Sequence, residues 1–356
     1  MSPSVLDLPE TYDRLDPEGL YGRIAGLPDQ IEEAWRAAAR LALPPDYRDV
    51  DAVAVLGMGG SGIGGAILQA LAIDTGARVP VFVVRGYVLP RWVGPRTLVL
   101  ASSNSGNTEE VLATTAAAVA AGARCIAITT GGRLLDLARD HRLPALTFAW
   151  DGEPRSALGW STISLLAICG GLGLIPDLVP DLPGALAAMR RVLDEIAGEV
   201  PESANPAKQL ARRLAGALPV FVGAQALGPV AYRWRTQFNE NAKSWAVAEE
   251  LPEMNHNAPL GFGAPAALLP LLRVVVLRHA AMHPRIALRV DATQRQLADA
   301  GVRAEVLHVP GESVLARVLW AVQMGDLTSY YAGLLHGVHP SPVGALDWLK
   351  RYMADR

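Results

Sequence analysis

The sequence predicts an α/β protein made of two doubly wound parallel-sheet domains packed together. Three observations lead there. Short, near-continuous apolar runs alternate with helical patterns in two successive series, and strands of that kind belong to parallel sheets covered on both faces. A proline-rich stretch, PDLVPDLP at 176–183, separates the two series as a linker would. At 356 residues the chain has room for about two domains with sizeable cores.

An N-terminal segment, 1–45, carries one amphipathic helix at 28–43. The first domain, 46–183, then reads as strand 53–56, helix 60–72, strands 79–84 and 98–101, helix 109–121, strand 123–129, helix 134–140, strand 145–149 and helix 161–173. The second, 184–356, opens with helices 184–198 and 206–217. It continues with strand 220–222, helix 228–247, strand 274–277, helix 294–300, strand 304–308 and helix 313–335, and ends in a C-terminal helix. The halves repeat in order of elements and not visibly in sequence. In such sheets the ligand lies outside the carboxyl ends of the strands, so the turns there are the first places to look for a site.

Composition narrows the class. Half the residues are hydrophobic and the net charge of −3 leaves no electrostatic footprint for nucleic acid. Cys125 and Cys169 sit in apolar runs, which predicts buried thiols in a reducing compartment. The acidic, polar start MSPSVLDLPETYDRLD does not read as a signal peptide, and apolar runs such as 163–175 fall short of the ~20 residues of a spanning helix. A cytoplasmic protein without membrane contact is expected. Lys208, Lys243 and Lys350 are the chain's lysines among 32 basic residues.

The most informative stretch is TLVLASSNSGNTEEVL at 97–112. A strand ends in hydroxyl and amide side chains with one glycine, and Glu109-Glu110 opens a helix. The first turn of a helix offers unpaired N–H groups and a partial positive charge, so this loop can surround a phosphate without lysine or metal. Capping by Ser105 or Thr108 is the plainer alternative, but a cap needs one hydroxyl and not Ser103, Ser105 and Thr108 together.

The glycine loop at 57–65, GMGGSGIGG, follows the first strand and opens a helix. It contains G-x-G-x-x-G, so a dinucleotide site must be weighed. The partner carboxylate expected at the end of the next strand is missing; VFVV ends in Arg85-Gly86, which leaves an NADP site as a weaker reading. Glycines that admit a small ligand, with Ser61 adding a hydroxyl to the anion site, fit better.

Residues 232–259 carry the candidate chemistry. On a helix, Trp234, Phe238 and Trp245 form an apolar stripe, while Arg233, Gln237, Glu240 and Ser244 share another face. Asn239 and Asn241 flank Glu240, and short amides prefer caps and turns to helix interiors, which suggests a polar pocket. Read alone, Glu240 is equally a surface glutamate paired with Lys243. His256 stands in a loop, Asn255-His256-Asn257, with no ligand at metal spacing, so zinc is not expected. Arg155 precedes a helix and reads equally as a surface arginine; Lys350 reads equally as a solvated residue of the last helix.

Taken together, these segments resemble the bifunctional phosphoglucose/phosphomannose isomerases, a branch of the sugar isomerase (SIS) fold superfamily. The resemblance spans nearly the whole chain. It is carried by GMGGSG at 57–62, SNSGNT at 103–108, PRSALG at 154–159, and above all by FNENAK at 238–243 followed by PEMNHN at 252–257. It implies SIS-type domains in which Gly60, Ser61, Ser103, Ser105 and Thr108 hold the phosphate of a phosphorylated hexose. It further implies that Glu240 moves a proton between C1 and C2, that His256 opens the pyranose ring from the other subunit of a homodimer, that Arg155 stabilises the enediolate and that Lys350 contacts sugar oxygens. Two positions depart from the family pattern: Asn104 stands where an aromatic is common, and His339 stands where Asp is usual.

The chemistry agrees. Aldose–ketose isomerisation through a cis-enediol needs a carboxylate base, an acid–base group at the ring oxygen and a cation near the developing oxyanion, with no cofactor and no metal. Glucose 6-phosphate and mannose 6-phosphate differ only at C2 and share one enediol with fructose 6-phosphate. The competing classes are a non-catalytic phosphosugar-binding SIS protein, which would not need Glu240, His256, Arg155 and Lys350 together, and an NADP-dependent oxidoreductase.

Overall fold

The computed structural model describes residues 4–354. Three helices lead in: α1 (Pro9–Leu15), α2 (Leu20–Ala25) and α3 (Leu27–Ala39). The first sheet and its helices follow as β1 (Ala52–Leu56), α4 (Gly59–Thr75), β2 (Val81–Val84), β3 (Thr97–Ser102), α5 (Glu109–Ala120), β4 (Arg124–Thr129), α6 (Gly132–Asp140), β5 (Ala145–Thr147) and α7 (Leu158–Gly171). Next come α8 (Leu182–Ile196), α9 (Pro206–Leu214), β6 (Leu218–Ala224), α10 (Gly228–Asn241), β7 (Val247–Leu251), β8 (Leu272–Arg278), α11 (Pro284–Asp299), β9 (Arg303–His308), α12 (Val314–Leu335) and α13 (Gly344–Ala354).

Both sheets are parallel, in the orders β2-β1-β3-β4-β5 and β7-β6-β8-β9. Period-two alternation sorts their side chains onto two faces. Val53, Val55, Leu98 and Leu100 of the first sheet, with Phe221, Val275 and Leu277 of the second, bury into one common core with α3, α4, α7, α8, α10 and α12. The opposite faces are covered separately: Ala54, Leu56 and Val99 lie under α5 and α6, and Val222, Val274 and Val276 under α11. The layers therefore run helix, sheet, shared helices, sheet, helix. In each sheet the order reverses beside the first strand, between β1 and β3 and between β6 and β8, where a doubly wound sheet opens its crevice. No helix among the described residues is long and apolar enough to cross a membrane. Cys125 and Cys169 are free and buried, and burial pushes both thiols up to about 12.

The structure corrects several elements read from the sequence. The N-terminal segment holds α1 and α2 in addition to α3. Helix α11 starts at Pro284, not at 294, with His283 as its N-cap accepting from the Arg285 N–H. The helix expected over 228–247 stops at Asn241, and residues 247–251 form the edge strand β7. The cause lies at Lys243, whose left-handed φ of +51° ends the helix while its ammonium donates to the Glu240 carbonyl at 2.6 Å. Trp234 and Phe238 are buried as expected, but Trp245, beyond the break, is 81% exposed, and Ser244 leaves the face of Glu240.

Candidate functional site

The loop after β3 is shaped by its glycine. Gly106 has φ +67°, and a Cβ there would lie 1.8 Å from the Gly131 carbonyl oxygen, so only glycine lets the loop close. The turn is then tied by its own side chains: Gly106 N–H donates to Ser103 Oγ at 3.1 Å and Asn107 N–H to Ser105 Oγ at 3.2 Å. Thr108 occupies the N-cap of α5 without making a capping bond; its hydroxyl lies 2.8 Å from Ser103 Oγ instead. The Ser103 and Thr108 hydroxyls thus face one another at a helix N-terminus that has no side-chain cap, with the exposed Ser105 beside them, an arrangement suited to an anion.

Gly60 and Ser61 lie in the first turn of α4. A Cβ on Gly60 would stand 3.0 Å from the Pro154 carbonyl oxygen and 3.5 Å from the Arg155 Cα, so this glycine lets the turn Pro154–Ser156 pack directly on α4. Gln30 of α3 holds that turn from behind, donating to the Ser156 carbonyl at 3.0 Å and accepting from the Gly159 N–H at 2.6 Å. Ser61, Asn104, Pro154, Ala157 and Ser161 line one small cavity, which joins the glycine loop, the hydroxyl loop and the arginine turn. Asn104 uses its carbonyl to accept from Thr130, while its buried Oδ1 has no hydrogen-bond partner among the described residues.

Arg155 is 3% exposed and fully engaged. Its Nε donates to Asn241 Oδ1 at 2.7 Å, its Nη1 reaches Glu240 Oε2 at 3.4 Å, and its Nη2 donates to the Pro340 carbonyl at 2.8 Å. Burial lowers its pKa, opposed first by the Glu240 and then by the Glu153 carboxylate. Glu240 keeps 31% of its side chain exposed, so the ion pair presents a carboxylate to the open side and a guanidinium behind it.

Most of the sequence-predicted residues therefore gather in one place. Gly60, Ser61, Arg155 and Glu240 meet directly or through the Pro154 turn, and Ser103, Ser105 and Thr108 belong to the loop whose Asn104 lines the same cavity as Ser61 and Pro154. His256 and Lys350 do not join them. His256 is exposed at the end of a 3-10 turn beyond β7. The start of α10 lies beside the end of β7, since a Cβ on Gly228 would come 2.7 Å from the Glu250 carboxylate, whereas Glu240 lies at the far end of the same helix. The length of α10 between these points is roughly 18 Å at the standard helical rise. Lys350 is exposed on α13.

Arg85 is occupied elsewhere. It donates to the Gly62 carbonyl at 3.0 Å and lies over the Tyr232 ring, bracing the glycine helix. Sequence reasoning missed Asn241 as the partner of Arg155, and Arg233 and Asp326 as a buried ion pair next to it with oxygen–nitrogen distances of 2.9 and 2.6 Å. A carboxylate inside the nearly all-apolar run of α12 was the available signal, because a buried charge requires a partner.

A family model described as the bacterial phospho-glucose isomerase C-terminal SIS domain matches residues 203–353. A bifunctional phosphoglucose/phosphomannose isomerase of Caldicellulosiruptor bescii is 36% identical, covering 94% of this chain and 99% of its own length. The enzyme of the same name from Aquifex aeolicus is 31% identical over 94% of this chain and 98% of its own. Among solved structures, a hypothetical protein from Thermus thermophilus shares the fold with a TM-score of 0.75 and 21% identity, covering 98% of this chain and 94% of that one. By its identity to full-length relatives, this chain belongs to the bifunctional phosphoglucose/phosphomannose isomerase family.

Proposed function

We propose that this protein is an aldose–ketose isomerase that interconverts glucose 6-phosphate and mannose 6-phosphate with fructose 6-phosphate through a cis-enediol intermediate. The observation that carries the reading is the pairing of Arg155 with Glu240 at 3.4 Å, beside a cavity that runs to the hydroxyl loop. A carboxylate backed by a buried guanidinium is the minimum equipment for moving a proton next to a carbonyl whose oxygen becomes an anion.

Ser61, Ser103, Ser105 and Thr108, with the backbone at Gly60 and at the start of α5, hold the phosphate. Glu240 removes the proton from C2 of the open-chain aldose, and the electron pair moves to make the enediolate. Arg155 balances the charge on its oxygen, the proton of the C2 hydroxyl passes to O1, and Glu240 returns its proton to C1 as the carbonyl forms at C2. In the reverse direction, return to either face of C2 yields the two aldoses.

The protein works as a homodimer with shared sites. The separation of His256 from Glu240 by the length of α10 favours an imidazole supplied by a second copy, where it serves the ring oxygen. Lys350 meets the sugar oxygens from α13. The experiment is a coupled assay of the purified protein on fructose 6-phosphate, reading glucose 6-phosphate and mannose 6-phosphate separately, with proton exchange at C2 followed in deuterated water. Formation of both aldoses with exchange is expected; tight binding without either would leave a phosphosugar-binding protein.

A further inference from the structure

We propose that Asp326 and Ser329 of α12 are positioning residues for Arg155, acting through Arg233 and Asn241. The inference rests on the isomerase reading above and extends it to a helix that contributes nothing to the rim of the site.

Two chains of hydrogen bonds leave Arg155 and close on the same turn of α12. In the first, the Arg155 carbonyl accepts from Arg233 Nη2 at 3.1 Å, and Arg233 makes a two-pronged ion pair with Asp326, Nε to Oδ1 at 2.9 Å and Nη2 to Oδ2 at 2.6 Å. In the second, Arg155 Nε donates to Asn241 Oδ1 at 2.7 Å, Asn241 Nδ2 donates to Ser329 Oγ at 2.9 Å, and Ser329 Oγ donates to the Asp326 carbonyl at 2.7 Å. One chain therefore fixes the backbone of Arg155 and the other fixes its guanidinium plane. Every member is buried: Arg233 is 1% exposed, Asn241 and Ser329 0%, and Asp326 2%.

The backbone of α12 is cut to permit this. A Cβ on Gly325 would lie 2.0 Å from Trp234 Nε1, and one on Gly333 would lie 2.6 Å from the Asn241 carbonyl oxygen. These two glycines let α12 close onto α10, with Asp326 and Ser329 between them at the contact. A helix that merely packed would bury apolar side chains there. Buried charges and amides in low dielectric have value when they hold a geometry, since any member left unpaired is costly. The guanidinium must hold its aim because proton transfer beside it loses rate steeply with misplacement.

The test uses the full-length protein and its variants, with melting curves for each. Arg155→Ala first decides the underlying reading: retained activity would remove Arg155 from the reaction and overturn that reading itself. With Arg155 required, Ser329→Ala deletes one oxygen and cuts the second chain. It is expected to lower kcat about tenfold while changing the KM for fructose 6-phosphate by less than about twofold. The same Ser329→Ala change in an Arg155→Lys background is expected to cost kcat almost nothing more, because lysine has no Nε to be held by Asn241. Asp326→Asn keeps the shape, removes the charge and one of the two prongs on Arg233 and should give a kcat-only loss of the same kind; if it does not fold, the serine cycle decides alone. An unchanged kcat in Ser329→Ala, or an equal loss in both backgrounds, would overturn the inference and leave the network a structural one.

Discussion

Arg155 and Lys243 share one acceptor, the carbonyl oxygen of Pro340, each at 2.8 Å. Lys243 also binds the carbonyls of Glu240 and Pro342, both at 2.6 Å. The segment that leads into α13 is thereby strapped to the end of α10 that carries Glu240. A residue held at φ +51° without being glycine is strained, and the three bonds of its ammonium supply the compensation.

Lys243→Met should release this strap. It removes the charge-assisted bonds and keeps the strained backbone, so a loss of roughly 2–3 kcal/mol in stability is expected. Hydrogen exchange should accelerate chiefly over residues 338–354. Turnover should fall as well, since Arg155 loses the partner that steadies its acceptor. Uniform exchange across the chain, or unchanged exchange at 338–354, would show that the strap does not hold α13.

The hydroxyl loop makes a separate prediction because Thr108 makes no capping bond. Thr108→Val keeps the shape of the side chain and removes the hydroxyl that faces Ser103. Combined with Ser105→Ala, it should raise the KM for the phosphosugars by about 10–100-fold with kcat less affected, while the melting temperature moves little. Activity of the unaltered protein should persist in EDTA. A large drop in melting temperature with unchanged KM would make these side chains structural; loss of activity in EDTA, restored by zinc, would place a metal in the site.

What the sequence disclosed follows from the range of the interactions. The 103–108 and 57–65 loops were readable because their hydroxyls, glycines and following helices lie within a few residues of one another. The central strands were readable because they are near-continuous apolar runs, as in AVAVL of β1, TLVLAS of β3 and VVVL of β8. The end of α10 was not, because the left-handed position is filled by Lys243, where glycine or asparagine would have announced it. Edge strand β7, VAEEL, carries too few apolar residues to stand out from a helix. The Arg155–Asn241 bond joins residues 86 apart, and Arg233–Asp326 joins residues 93 apart; local patterning carries no trace of either pairing.

His279, just past β8, supplies a pH dependence. It is 6% exposed, and burial first, then the Arg317 charge, push its pKa from the usual 6.5 down to about 4. Between those values the unfolded chain takes up a proton that the folded chain refuses, so stability falls as the pH drops through that window and is unaffected by this group above it. The expected loss is on the order of 1–3 kcal/mol across that window. Urea unfolding at both ends of the range, compared with His279→Leu, measures it. The variant should lose less stability on acidification than the unaltered protein, and equal losses would mean that the imidazole is protonated in the fold.

Glu240 and His256 give the sharpest prediction, because the length of α10 keeps them apart within one chain. Glu240→Gln preserves shape and hydrogen bonding and removes the base, so isomerisation should fall by about three orders of magnitude or more with substrate binding retained. His256→Ala should impair turnover of the cyclic sugar more than proton exchange on open-chain substrate. In a dimer with shared sites, a heterodimer of these two variants has one site with both changes and one with neither. Random mixing makes about half the dimers mixed, so activity should recover to roughly a quarter of the unaltered level. Recovery should require subunit exchange, which mass spectrometry of differently labelled chains can follow. Mixed dimers that remain inactive would place both groups in one subunit and require the His256 turn to fold back along α10. Near-normal activity of Glu240→Gln would remove the proton-transfer mechanism itself.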